Sequence, residues 1–301
     1  MEDLDQLNEQ FSIEGKLNFT DMDGDIIFAD ITNKFAETSI CLYGAQVTHY
    51  RPLETFNVLW MSPNSNFEVG KAIRGGIPIC FPWFGPHVTD KTLPAHGFAR
   101  LMYWKVVKTE STLKGETMLT LQLNSSDETK KYWPHDFKME IDFLIGASLR
   151  VELRVTNTGN SDFNYTSAIH TYFNVSEIGN VSIEGLQGVS YYSGFGNKII
   201  TQEDELIEIK QEENRRYVNT DADIILHDSA FQRKVVTSKE GSKVTVVWNP
   251  WSETVKMMDD IPDDGYQTFV CIEPANSYND FVQLAPGEKH STVGKIGLQK
   301  D

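Results

Sequence analysis

Two acid–base side chains stand at the ends of apolar runs in this sequence. His170 lies in Ala168-Ile169-His170-Thr171-Tyr172-Phe173, at the end of a strand-like run that begins at Phe163. An imidazole among apolar and aromatic neighbours is costly to bury unless its nitrogens are hydrogen-bonded or face a polar cleft. Its ordinary pKa of ~6.5 suits proton transfer near neutrality. Glu273 lies in Phe269-Val270-Cys271-Ile272-Glu273-Pro274-Ala275-Asn276, an apolar strand that delivers a carboxylate and then breaks at a proline. Glutamate is almost never fully buried without a partner. A carboxylate and an imidazole brought together supply one general base and one general acid.

Two further segments bring positive charge. In Lys71-Ala72-Ile73-Arg74-Gly75-Gly76-Ile77-Pro78 the glycines let backbone approach a ligand, and Arg74 becomes a candidate anion clamp. The same pattern also fits a tight turn with an exposed arginine, and it lacks the Gly-Lys-Ser/Thr element of a Walker loop. In Pro94-Ala95-His96-Gly97-Phe98-Ala99-Arg100, His96 and Arg100 flank a glycine. A guanidinium matches phosphate oxygens with a planar fork of donors, so Arg74 and Arg100 together suit a dianion. His96 taken alone reads equally as a hydrogen-bonded loop residue. Asp223, just before Ile224, Ile225 and Leu226, is a candidate sugar-hydroxyl ligand or an ordinary strand-start aspartate. Trp248-Asn249-Pro250-Trp251 reads as an aromatic-flanked turn, with core packing the simpler role for its tryptophans.

Composition bounds the rest. The chain has 301 residues, 40% of them hydrophobic, and a net charge of −16, which argues against nucleic-acid or acidic-membrane partners. No apolar run approaches the ~20 residues of a membrane-spanning helix, and the first residues are acidic where a secretory signal would be basic. The expectation is a cytoplasmic protein that acts as a monomer on a small molecule. Cys41, Cys80 and Cys271 are far apart and set in apolar segments; they read as free buried thiols, with no metal-site spacing.

The elements that must position these residues are strands. Residues 119–123 and 151–155 alternate apolar and polar, as half-buried strands do. Residues 139–145 and 149–157 flank a short turn and should form an antiparallel hairpin. Residues 244–248 make another β-branched run. Short helices are expected from a Ser126 cap through Tyr132, and over residues 252–258. Residues 1–9 read as a flexible acidic tail and 202–213 as a solvated surface stretch. Nothing marks a domain boundary between 10 and 301, so a single large antiparallel β-sandwich is expected.

At these residues the chain resembles the aldose 1-epimerase superfamily, most closely its glucose-6-phosphate 1-epimerase branch. The resemblance runs from about Gly44 to Gly287 and includes Arg74-Gly75-Gly76-Ile77-Pro78, His96-Gly97-Phe98-Ala99-Arg100, Tyr132-Trp133-Pro134, His170-Thr171-Tyr172-Phe173, Trp248-Asn249-Pro250-Trp251, Cys271-Ile272-Glu273-Pro274 and Leu284-Ala285-Pro286-Gly287. It implies an all-β supersandwich, no metal or organic cofactor, and interconversion of the α and β anomers of a hexose 6-phosphate. On that resemblance Glu273 is the general base and His170 the general acid, held as an imidazolium. Arg74, His96, Arg100 and Asp223 fall on substrate-contacting positions. Relatives in the branch often carry glutamine where Ala95 stands, which bears on the preferred hexose. Two other readings stand beside it: a sugar hydrolase using Glu273 and Asp223 as its two carboxylates, and a non-catalytic sugar-phosphate-binding sandwich.

Overall fold

The computed structural model describes residues 3–22, 26–194, 196 and 198–299. Its two largest sheets contain nine and eight strands, and every ladder between named strands is antiparallel. The nine-stranded sheet contains the expected hairpin, Phe137–Ile145 paired with Ser148–Asn157, in which buried and half-exposed residues alternate along the whole length. That period of two is the signature of a sheet with one face on the core and one facing water.

The eight-stranded sheet runs Ile199–Thr201, Ser190–Ser193, Glu213–Tyr217, Val244–Asn249, Phe269–Asn276, Ser167–Ile169 and Ile79–Cys80, with Tyr172–Asn174 as a second partner of Phe269–Asn276. All residues of Phe269–Asn276 are buried, so both faces of this strand are covered. Val270 and Ile272 share one contiguous core with Leu121, Ile141, Leu153 and Val155 of the nine-stranded sheet. Cys271 and Ala275 point to the opposite face, into two smaller apolar clusters. Glu273 falls between them on that outer face, because side chains alternate along a strand.

Several expectations change. Residues 4–9 are no tail: Leu4–Phe11 is a helix whose N-cap Asp3 accepts a hydrogen bond from the Gln6 amide. Leu7 is buried, and the Asn8 side chain both donates to and accepts from the backbone of Phe19. The apolar spacing Leu4, Leu7, Phe11 supplies the docking face that the acidic composition obscures. The stretch 202–213 is solvated only in part. Gln202, Ile207, Ile209 and Glu213 are buried, and Glu213 holds Arg215 through two contacts of 2.7 Å. The expected short helices appear as Thr129–Tyr132, with Ser126 Oγ accepting from the Thr129 amide, and as Trp251–Thr254 followed by a 3-10 turn at Val255–Met257. The three cysteines are free and buried.

Candidate active site

The strand Phe269–Asn276 does not end at Pro274 but runs through it, and the proline shapes the site. Ser167 pairs with Asn276 and Ala168 with Ala275; beyond a gap, Tyr172 pairs with Cys271. The offset is the same on both sides of the gap, so His170 stands directly opposite Glu273. The Ile272 amide donates to the Thr171 carbonyl, which makes 272/171 and, two residues on, 274/169 the hydrogen-bonding pairs of this ladder. Pro274 has no N–H to give to Ile169. The Ile169 carbonyl accepts instead from the Thr171 amide at 3.0 Å, and the ladder is interrupted at His170 and Thr171. Between those positions, 170/273 is a non-hydrogen-bonded pair, the arrangement that brings opposed side chains closest. His170 Nε2 and Glu273 Oε1 are 3.5 Å apart.

The pair is dry. The Glu273 side chain is 1% exposed and that of His170 8%. Burial raises the Glu273 carboxyl well above the ordinary carboxylate range. His170 is pushed well below the usual imidazole value by burial first, then by His96, Arg100 and Arg74. Both shifts run against the expected carboxylate and imidazolium: desolvation penalises either charge, and the nearby arginines repel a third cation. Desolvation thus favours the uncharged form of each group, a carboxyl beside a neutral imidazole. Among the described residues, His170 Nδ1 and Glu273 Oε2 are buried without a hydrogen-bond partner, which leaves one polar atom of each member open to a substrate.

Arg74, His96 and Arg100 come to the same place. Gly75 has a φ of +112°, and a Cβ there would lie 2.5 Å from the Trp60 carbonyl oxygen, so the turn that presents Arg74 requires glycine. Arg74 Nε donates to Asp260 Oδ2 at 3.0 Å, and Nη1 donates to the Tyr172 hydroxyl at 2.9 Å. Tyr172 in turn stacks on His170, with centroids 4.8 Å apart and planes 11° from parallel. Gly97, whose Cβ would meet the Phe81 carbonyl oxygen at 2.0 Å, fixes the His96 loop against the sheet. The His96 ring lies 5.4 Å from that of His170, edge to face. Burial and the two arginines push His96 down to about 3, and its Nδ1 accepts from the Gly85 amide at 3.3 Å. That leaves Nε2–H as the donor of the neutral ring. Arg100 Nη2 donates to the Ala95 carbonyl at 2.9 Å, while its Nε is buried without a partner.

Asp223 does not join them. It is exposed, at the start of Ile224–Asp228 in the nine-stranded sheet, which deprives the two-carboxylate hydrolase of its second acid. The acidic residue at the cradle is Asp260, in a loop of several aspartates that no sequence spacing distinguishes. Tyr172 is likewise a site residue that its apolar neighbours in the sequence conceal. Trp248 belongs to the site wall, 6.1 Å from the His170 ring, whereas Trp251 packs at a tilt against Tyr266. His170, Cys271 and Glu273 bring possible metal-ligand atoms within 4.8 Å of one another. Burial holds Cys271 as a thiol, well above its ordinary pKa, so this set would first have to lose that proton to become a strong metal ligand.

A family model described as aldose 1-epimerase matches residues 29–297. A Salmonella typhimurium protein named "Putative glucose-6-phosphate 1-epimerase" is 36% identical over 275 residues, covering 91% of this chain and 90% of the relative. A protein of the same name from Cenchrus ciliaris is 36% identical over 268 residues, covering 86% and 80%. The crystal structure of a "putative mutarotase" from Salmonella typhimurium superposes with a TM-score of 0.89 at 33% identity, over 97% of this chain and 96% of that one.

Proposed function

This chain belongs to the aldose 1-epimerase family, and we propose that it interconverts the α and β anomers of a hexose 6-phosphate, glucose 6-phosphate foremost, by opening and reclosing the sugar ring. Anomerisation needs a proton taken from the C1 hydroxyl and a proton given to the ring oxygen. The C1–O5 bond then breaks to an aldehyde, and reclosure on the other face uses the same transfers in reverse. The observation that carries this reading is the dry His170–Glu273 pair at 3.5 Å, with one unpartnered polar atom on each member. Glu273 serves as base toward the C1 hydroxyl and His170 as acid toward the ring oxygen, once the proton they share has moved to the imidazole. Arg74 and Arg100 receive the 6-phosphate and so fix the ring over the pair. His96 Nε2–H is placed to donate to a sugar oxygen.

The reaction as written uses no metal or organic cofactor, and every group it invokes comes from one chain, so a monomer suffices. Three unpaired buried thiols suit a reducing compartment, for which we propose the cytoplasm. No helix among the described residues is long and apolar enough to cross a membrane.

The test is to add the protein to freshly dissolved α-glucose 6-phosphate and follow anomer exchange by polarimetry or NMR, with glucose and galactose in parallel. Exchange should be fastest for the phosphorylated sugar. Equal acceleration of all three sugars contradicts the phosphate role of the arginines, and no acceleration of any contradicts the activity.

A further inference from the structure

The arginines do more than offer a seat for a phosphate, because their charges bear on the residue that must become cationic. His170 is faced by Arg74 through the bridging Tyr172, by Arg100, and by the His96 ring from the loop beside it. The Cys271 thiol and the Glu273 carboxyl face it from the adjacent strand, and the buried Cys80 thiol lies 3.4 Å from His96 Nδ1. Asp260 contacts Arg74 Nε, and its charge reaches Arg100 as well. Among the described residues Arg100 contacts no carboxylate; its Nη2 donates to the Ala95 carbonyl, and its Nε is buried and unsatisfied. Two guanidiniums set against the single carboxylate of Asp260 leave net positive charge beside the imidazole.

We propose that the Arg74–Arg100 cradle is a separately occupiable oxyanion site whose occupant activates the proton-transfer pair, so that a free dianion accelerates anomerisation of an unphosphorylated hexose. The inference rests on the function proposed above and adds a role for the phosphate beyond anchorage. With a dianion on the guanidiniums, the charge opposing an imidazolium is offset. The proton then crosses from Glu273 Oε1 to His170 Nε2: the O–H bond breaks, the N–H bond forms, and the pair's net charge does not change. The products are the carboxylate that takes the C1 proton and the imidazolium that protonates the ring oxygen. In glucose 6-phosphate the dianion is part of the substrate. In glucose the site stays empty and the pair stays in its resting form. Binding energy remote from C1 is thereby expressed in turnover as well as in affinity.

The experiment uses the full chain with freshly dissolved α-glucose at constant ionic strength, with and without phosphite dianion, after subtraction of the exchange seen in protein-free phosphite. Saturable acceleration of at least about tenfold is expected, the population change that goes with one pKa unit. The ratio of the rates with and without phosphite should fall toward one in Arg100→Ala. As a second readout, phosphite without sugar should shift the histidine ring 15N signal of His170, assigned by its loss in His170→Asn, toward the imidazolium position. If glucose 6-phosphate is turned over while phosphite leaves glucose exchange unchanged or inhibits it, the activation is wrong and the proposed function stands. If glucose 6-phosphate is not turned over either, both fall.

Discussion

Arg154 and His170 each face carboxylates on neighbouring positions of an antiparallel sheet, one in water and one out of it. Arg154, on the outer face of the nine-stranded sheet, reaches Asp142, Glu152 and Glu140 at 3.1, 3.4 and 3.5 Å, and all four side chains are 18–23% exposed. His170 meets Glu273 at 3.5 Å with almost no exposure. The spacing is the same and the solvent differs. In the first setting water reaches every group and screens the contacts, and the ladder contributes little beyond solubility. In the second, desolvation disfavours the charged form of both members, which raises the carboxyl and lowers the imidazole. In the function proposed above, what covers a cross-strand pair is what makes it a catalyst.

The largest effect expected of breaking this contrast is on rate. His170→Asn and Glu273→Gln should each lower anomer exchange by on the order of 100- to 10,000-fold, read by exchange NMR at saturating glucose 6-phosphate. The same substitutions should leave the fold as stable or more so, with opposite pH signatures. A carboxyl raised in the folded state keeps its proton where the unfolded chain has lost it, so its cost to stability grows as pH rises above ~4.3. Glu273→Gln should therefore gain melting temperature on wild type toward neutral pH and lose that gain in acid. A depressed imidazole refuses the proton that the unfolded chain takes up below ~6.5, so His170→Asn should gain as pH falls. Each pKa unit involved corresponds to ~1.4 kcal/mol, and thermal melts at several pH values would show both trends.

A smaller effect should follow from repairing the interruption in the ladder. Pro274→Ala restores an N–H that can bond the Ile169 carbonyl in competition with Thr171. His170 should shift, and exchange should slow on the order of tenfold, the scale of a modest misplacement of a reacting group. Unchanged exchange with unchanged melting would remove the structural role given to Pro274. The smallest effect belongs to the hydrated ladder: Arg154→Ala should alter stability in denaturant melts by less than ~1 kcal/mol and leave exchange as in wild type.

The hydrated region was also the more legible in the sequence. Residues 119–123 and 151–155 advertise their strands because one face must be polar. His170 and Glu273 were legible for the complementary reason, as ionisable residues inside apolar runs. Their register was not, since it depends on Pro274 withholding one hydrogen bond across a gap between two short strands. Asp260 and Tyr172 were missed because an aspartate among aspartates and a tyrosine among aromatics give no local sign of facing an arginine. Asp223 misled because its position before an apolar run says nothing about which sheet the run joins. The helix Leu4–Phe11 was hidden by composition: its three apolar residues dock it, while its acidic and amide residues set the average.

The dry pair is tested most directly by measuring the anomer exchange rate of glucose 6-phosphate by saturation-transfer NMR for wild type, His170→Asn, Glu273→Gln and Arg154→Ala, each verified as folded by its melting transition. A loss of at least about 100-fold in the first two variants, with Arg154→Ala matching wild type, is the expected result. A folded His170→Asn or Glu273→Gln variant that exchanges anomers within a few-fold of wild type would contradict it.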